Sequence, residues 1–165
     1  MECVRLLEML KSCSKETLKD LLLPVRVQSA DEKASERPPD VFLMRLPDSK
    51  SPTKKAPYII HQLVTQSTTQ KAGEKFPSCR ATVRSIVCVY SEDEQEGGLM
   101  LLNVFERLRT RLLRDPILGG QFELNIDDGA LEYLIYPDNT APYYMGEMAS
   151  DWDLPYVKRE VPEVW

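Results

Sequence analysis

The strongest constraint on the fold of this chain lies in residues 80–90, which read RATVRSIVCVY. Side chains alternate between the two faces of a strand. Here Val83 and Val87 fall on one face, while Ile86 and Cys88 fall on the other. A strand that is apolar on both faces is typical of a position covered by protein on both sides. We therefore predict that residues 80–90 form the longest strand of the chain, at the centre of a sheet.

An amphipathic helix is predicted shortly after this strand. Apolar residues recur there at the spacing of one helical face, and they are Leu101, Val104, Phe105, Leu108 and Leu112. Gly97 and Gly98 are expected to mark the start of the helix. Its end is expected at Asp115, because the next residue is Pro116 and the residue before a proline disfavours helical backbone.

The remaining strands complete an α+β pattern. Residues 41–46 and 57–65 are short, rich in branched or aromatic residues, and predict two strands joined by a loop. QFELNI and ALEYLIY both alternate and are separated by Asp128 and Gly129, which predicts a β-hairpin. PYYMGEMASDW is expected to add an edge strand. We predict a mixed or antiparallel sheet of about five or six strands with one principal amphipathic helix packed on it, plus N-terminal helices.

The two ends of the chain are predicted to be distinct from this core. Residues 1–27 form a helical segment in which Ser14 caps a second helix, and residues 28–40 form a polar linker. The α+β core is expected over residues 41–150. Residues 151–165 contain Pro155 and Pro162, so we expect a C-terminal arm ending in Trp165.

Composition limits the classes of function. The length of 165 residues and the 42% of hydrophobic residues suit one soluble, folded domain. A net charge of -5 argues against free-standing binding to nucleic acid, so no sequence-specific nucleic-acid partner is expected. No run of 18 apolar residues occurs, so no membrane partner is expected either. The four cysteines show no CxxC pair, which favours reduced thiols in a cytosolic protein.

The acidic cluster between strand and helix has two interpretations. Its carboxylates, on Glu92, Asp93, Glu94 and Glu96, could be metal ligands of a small metal-dependent enzyme. They could instead stabilise the positive end of the following helix dipole, by roughly 0.3–1 kcal/mol each. No phosphate-binding loop of the GxxxxGK[ST] type accompanies them. We adopt the dipole interpretation, and so predict no catalytic residue, no cofactor and no metal site.

Arginines in the second half of the helix are the main candidate for a contact with other proteins. Arg107, Arg111 and Arg114 share one face, opposite the apolar stripe. Arginine is enriched at protein interfaces, and fixed charges can set the register between copies. The predicted subunit-interface candidates are Arg107, Arg111, Arg114, Glu92, Glu94 and Trp165. By contrast, His61 lies within an apolar strand and is interpreted as a packing residue, and Cys79 as a structural thiol.

Three segments of the sequence resemble a family of phage proteins. The segments APYIIHQLV and IVCVYSEDEQEGGLMLLNVFERLRTRLL are similar to the small tail terminator, or tail completion, proteins of long-tailed bacteriophages and prophages. PDNTAPYYMGEMASDWDLPYVKREV resembles prophage structural proteins of that kind in Gram-positive bacteria. The resemblance covers residues 40–160 and rests on layout rather than on a catalytic motif.

This resemblance implies a non-enzymatic virion structural protein. The implied subunit assembles as an oligomeric ring, usually a hexamer, at the head-proximal end of the tail. Its partners would be further copies of itself, the tail tube protein and the head connector or neck protein. Its location would be the bacterial host cytoplasm during assembly and then the virion. Because the N-terminal helices and the C-terminal arm exceed what a minimal member needs, a related head-tail joining role stays open. A metal-dependent enzyme and a bacterial adaptor protein are the alternatives.

Overall fold

A mixed β-sheet with two helices packed on one face forms the fold, in a computed structural model that describes residues 1–47 and 55–161. Within those residues the main sheet has seven strands, and the predicted α+β class is confirmed. The helices are α1 (Glu2–Leu18) and α2 (Glu94–Arg114). The strands are β1 (Leu23–Val25), β2 (Ser35–Arg37), β3 (Asp40–Leu43), β4 (Tyr58–Thr69), β5 (Ser78–Tyr90), β6 (Ile117–Leu118), β7 (Phe122–Leu124), β8 (Leu131–Ile135) and β9 (Tyr143–Leu154).

The strand order of the main sheet is β3-β4-β5-β9-β7-β6, and β8 also pairs with β9. β3 runs parallel to β4, whereas the other pairings are antiparallel. β5 therefore lies inside the sheet between β4 and β9, and it is the longest strand described. Both predictions for residues 80–90 are confirmed.

The two faces of β5 explain its apolar sequence. Val83, Val87 and Val89 face the helices and belong to the main core, together with Phe105 and Trp152. On the opposite face a smaller cluster forms. Its buried members are Leu46, Ala56, Tyr58, Ile60, Cys88, Tyr90 and Tyr143. The strand thus has apolar neighbours on both sides, as a doubly covered strand requires.

The N-terminal segment is one continuous helix, so the predicted break at Ser14 is wrong. Ser14 lies inside α1 and is buried. Its neighbours along the same face, Leu6, Leu10 and Leu18, belong to the main core. Burial of each leucine contributes about 1.5–3 kcal/mol of hydrophobic stabilisation. α1 is therefore part of the core, and it packs against β3, β4 and α2.

The predicted hairpin around Asp128 and Gly129 is also wrong. β7 and β8 both pair with the same side of β9, at successive positions along it. Between them, Asn125 Oδ1 accepts hydrogen bonds from the backbone N–H groups of Asp127 and Asp128, and the Asp151 carboxylate accepts from the Ala130 N–H. These contacts hold the chain along β9 and do not reverse it into a hairpin.

β9 is an interior strand, not the predicted edge strand. It lies between β5 on one side and β7 with β8 on the other. It continues to Leu154 and buries Trp152 completely, so residues 151–154 belong to the sheet and not to the arm. The predicted linker likewise contains β2, which pairs with β1 in a separate two-stranded ribbon. No strand follows Leu154 up to Val161, and Trp165 lies outside the described residues.

In the described part of the chain, neither helix has the length and apolar character that crossing a membrane would require.

Candidate interaction surface

The acidic cluster forms the start of α2. The helix begins at Glu94, before the two glycines that were expected to mark its start. The Asp93 carboxylate accepts hydrogen bonds from the N–H groups of Gln95 and Glu96, at 2.9 and 3.1 Å. This is the N-cap arrangement, which typically stabilises a helix by about 1 kcal/mol. The predicted role of these acids at the helix dipole is confirmed for Asp93.

Gly97 is needed for packing rather than for a turn. A Cβ atom at this position would lie 2.1 Å from Cε2 of Tyr144 on β9. The glycine therefore lets the first turn of α2 approach the sheet closely. The sequence alone does not show this reason, because Tyr144 is distant along the chain.

The remaining carboxylates of this region face solvent. Glu92, Glu94 and Glu96 are exposed. Glu92 accepts a hydrogen bond from the Tyr90 hydroxyl, and that bond raises the pKa of Tyr90. Glu92 and Glu96 line a cleft of about 890 Å³ beside the β1–β2 ribbon. Across the described residues, no group of three or more histidine, cysteine, aspartate or glutamate side chains is placed to hold a metal ion.

The three predicted interface arginines do come together. Arg107, Arg111 and Arg114 line one groove of about 430 Å³ between the C-terminal half of α1 and the second half of α2. We call this the arginine groove. Its other lining residues are Glu16, Thr17, Glu106 and Thr110. The arginines are spaced so that each lies on the same flank of α2, next to α1.

The positive charge of the arginine groove is poorly balanced within the molecule. Arg107 Nε donates to the neutral amide of Asn103 at 3.2 Å. Arg111 Nη1 donates to the backbone carbonyl of Asp115 at 3.0 Å, and its Nη2 lies 3.8 Å from the Asp115 carboxylate. Among the described residues, no carboxylate lies within 4.0 Å of the charged nitrogens of Arg107 or Arg114.

The two carboxylates that line the groove already have other partners. Glu16 is paired with Lys19 at 2.7 Å. Glu106 accepts a hydrogen bond from the Tyr133 hydroxyl and lies 3.9 Å from Arg109. The groove thus offers guanidinium groups that can form further charge-assisted hydrogen bonds with acceptors of another molecule.

The predicted interface residues do not form one surface. Glu92 and Glu94 lie at the start of α2, and the arginine groove lies along its second half. From Glu94, a rise of 1.5 Å per residue gives an axial separation of about 20–30 Å to the three arginines. The structure therefore has two charged surfaces of opposite sign at the two ends of one helix, while Trp165 is outside the described residues.

His61 is buried, as predicted for a packing residue, but the sequence did not reveal its two serine partners. Its Nε2 lies 2.8 Å from Ser14 Oγ on α1, and its Nδ1 lies 2.7 Å from Ser85 Oγ on β5. All three side chains are almost inaccessible to solvent, and burial lowers the pKa of His61 to about 4. The trio connects α1 to the sheet. The sequence held one indication that Ser14 is buried: Leu10, Ser14 and Leu18 are spaced four residues apart and share one helical face.

Similarity to known proteins leaves the family of the chain open. No protein-family model matches the chain, and no curated protein matches it. One solved structure aligns with 92% of this chain and 97% of its own chain, at 13% sequence identity and a TM-score of 0.46. A likeness at that TM-score supports no inference about function.

Proposed function

We propose that this protein is a non-enzymatic virion structural protein that acts at the head-proximal end of a phage tail. It serves as a tail terminator, or in a related head-tail joining role, through ring-forming contacts between copies. Its further partners are the tail tube protein and the head connector or neck protein. It works in the cytoplasm of a bacterial host during assembly and remains in the virion. The resemblance of residues 40–160 to tail terminator proteins is the reason for proposing a phage tail as the assembly.

The observation that carries this proposal is the arginine groove. Three arginines line it, and among the described residues only Arg111 has a carboxylate within 4.0 Å, that of Asp115. Arginine is favoured where carboxylates are bound in pairs of hydrogen bonds, and it is enriched at protein interfaces. A surface of this kind suits a protein whose function is to contact other proteins.

Arrest of tail tube growth tests the proposed function. If the genes beside this one encode a tail tube protein, that protein is polymerised with and without the purified protein, and tube lengths are measured by electron microscopy. We expect the protein to sit at one end of the tubes and to shorten them. Tubes of unchanged length with bare ends contradict the proposal, and so does the lack of a tail tube gene among the neighbours.

Paired variants connect that result to the groove. Arg107→Glu with Arg111→Glu reverses two charges of the groove, and tube ends should lose the protein. The matched control, Lys71→Glu with Lys75→Glu, makes the same change of charge in the exposed turn between β4 and β5. It should shorten tubes as the wild type does. Equal activity of both variants would place the contact outside the groove.

A further inference from the structure

We infer that the arginine groove receives the acidic start of α2, residues 92–96, from a second copy of this chain. The inference rests on the proposed function in one respect, namely that copies of the protein contact one another. It goes beyond that function because it names the two surfaces that meet.

Charge is the first reason for this pairing. The groove presents Arg107, Arg111 and Arg114, whose charges are mostly unpaired within the described residues. The acidic start of α2 presents Glu92, Glu94 and Glu96, all exposed. Within the part of the chain that the structure describes, none of these three glutamates lies within 4.0 Å of a lysine or arginine nitrogen. Each surface therefore has the groups that the other can pair with.

Distance is the second reason. Both surfaces belong to α2, a single helix of 21 residues, and about 20–30 Å of its axis separates them. They cannot meet within one molecule without breaking the helix. Pairing between them must therefore join two molecules.

The dimensions of the two surfaces are compatible. From Arg107 to Arg114 the axis rises about 10 Å. Residues 92–96 cover a similar length, because Glu92 and Asp93 precede the helix and Asp93 has β-region dihedrals, which rise more per residue than a helix does. A guanidinium fork can accept a carboxylate through two parallel hydrogen bonds. Glu94 and Glu96 are two positions apart on the helix and point to different sides of it, so the acidic start can place two of its three glutamates, such as Glu92 and Glu96, against the arginines at one time.

The pairing allows two kinds of assembly. If each of two copies places its acidic start in the groove of the other, both surfaces are used and a dimer with two-fold symmetry forms. If the contacts run in one direction instead, each added copy leaves one groove and one acidic start unpaired, and the copies close as a ring or continue as a filament. The ring of the proposed function requires the second arrangement.

A charge-swap experiment on the full chain tests the pairing. The groove variant is Arg107→Glu with Arg111→Glu, and the start variant is Glu94→Arg with Glu96→Arg, so Asp93 keeps its capping role. The molar mass of each is measured by light scattering across a concentration series. We expect each variant alone to dissociate, with a dissociation constant raised about 100-fold or more, because like charges then face each other.

Restoration distinguishes a direct contact from a general effect of charge. In an equimolar mixture, the groove variant carries two acidic surfaces and the start variant two basic ones, so the two proteins should alternate and recover the wild-type mass. A chain with all four substitutions should also recover it. The control Lys71→Glu with Lys75→Glu should keep the wild-type mass throughout.

Folding of each variant is checked by circular dichroism. If a reversed charge prevents folding, two neutral variants replace the charge-reversed ones. They are Arg107→Gln with Arg111→Gln and Glu94→Gln with Glu96→Gln, and both should weaken assembly.

Three kinds of result contradict the pairing. If the wild type assembles and the groove variant has the same molar mass as the wild type, the pairing is wrong, but the proposed function is not contradicted. Loss of assembly without recovery in the mixture also overturns the pairing, since the groove then binds a different acidic surface. A wild type that stays monomeric at every concentration overturns the pairing, while tube capping separately decides the proposed function.

Discussion

At the level of single residues, His61 shows how burial sets the chemistry of a side chain. Its ring nitrogens are satisfied by Ser14 and Ser85, which can donate or accept a hydrogen bond. No carboxylate pairs with the ring in these contacts, so a protonated His61 would be a buried charge without a counter-ion. Burial is accordingly the cause that lowers its pKa.

This arrangement predicts a loss of stability in mild acid. The folded pKa of about 4 lies below the reference value of 6.5, so the unfolded chain binds the proton more readily. The contribution of neutral His61 is fully present above pH 6.5 and is lost as the pH falls toward 4. It amounts to about 3 kcal/mol, since each tenfold change in proton affinity is worth about 1.4 kcal/mol. Denaturant unfolding at several pH values between 7 and 4 measures it.

His61→Gln is the control for this prediction, because glutamine is polar but does not titrate in this range. The variant should be less stable than the wild type at pH 7, and the difference should shrink as the pH falls. If the two stability curves stay parallel, protonation of His61 does not cause the loss.

At the level of elements, the first turns of α2 contain two adjacent glycines whose surroundings differ. Gly97 allows contact with the Tyr144 ring, whereas a Cβ at Gly98 would meet no atom within 4 Å. The two glycines are adjacent in the sequence, but packing requires a glycine only at Gly97, whereas Gly98 has room for a larger side chain.

Alanine at these two positions should act in opposite directions. Gly97→Ala forces the Tyr144 ring to move, and overpacking of this kind lowers the free energy of unfolding by about 1–3 kcal/mol. Gly98→Ala relieves the entropic cost of a helical glycine and should raise it by about 0.5–1 kcal/mol. Thermal and denaturant unfolding of the two variants provide the comparison. Equal effects of the same sign would show that the Tyr144 contact does not limit this position.

At the level of the whole molecule, α1 and the sheet share one hydrophobic core. Leu6 of α1 has no exposed surface and belongs to the same cluster as Phe105 of α2 and Trp152 of β9. The molecule should therefore unfold as one unit, with no separate transition for the N-terminal helix.

Leu6→Ala tests this unity. Removal of the buried side chain should lower the free energy of unfolding by about 2–5 kcal/mol, and circular dichroism and tryptophan fluorescence should still report the same transition. Val4→Ala is the matched control, because Val4 is 52% exposed on the same helix, and it should change stability by less than about 0.5 kcal/mol. Two separated transitions in the Leu6 variant would show that α1 unfolds independently.

Charge distribution at this scale connects the fold to assembly. α2 begins among carboxylates and ends among arginines, an order that suits its own dipole. The same order leaves each molecule with two exposed surfaces of opposite sign. The stability of one helix and the capacity for contact between copies thus depend on the same residues.

The sequence by itself determined the features that one element carries alone. Alternation over residues 80–90 identified an interior strand, and helical spacing identified α2 and the shared face of Arg107, Arg111 and Arg114. These predictions were correct because side-chain period reports directly which faces of a strand or helix are buried. Asp93 could likewise be interpreted as part of a helix start, since capping involves only the next three residues.

Only the tertiary structure decided which elements meet. β7 and β8 pair with β9 instead of with each other, since β9 offers both of them a long partner strand and Asn125 and Asp151 hold the chain along it. Ser14 stays inside α1 because His61, 47 residues away, supplies its hydrogen-bond partner. Gly97 depends on Tyr144 for the same reason. The contact energy that outweighs a local preference in each case comes from residues distant along the chain, and such contacts exist only once the sheet has assembled.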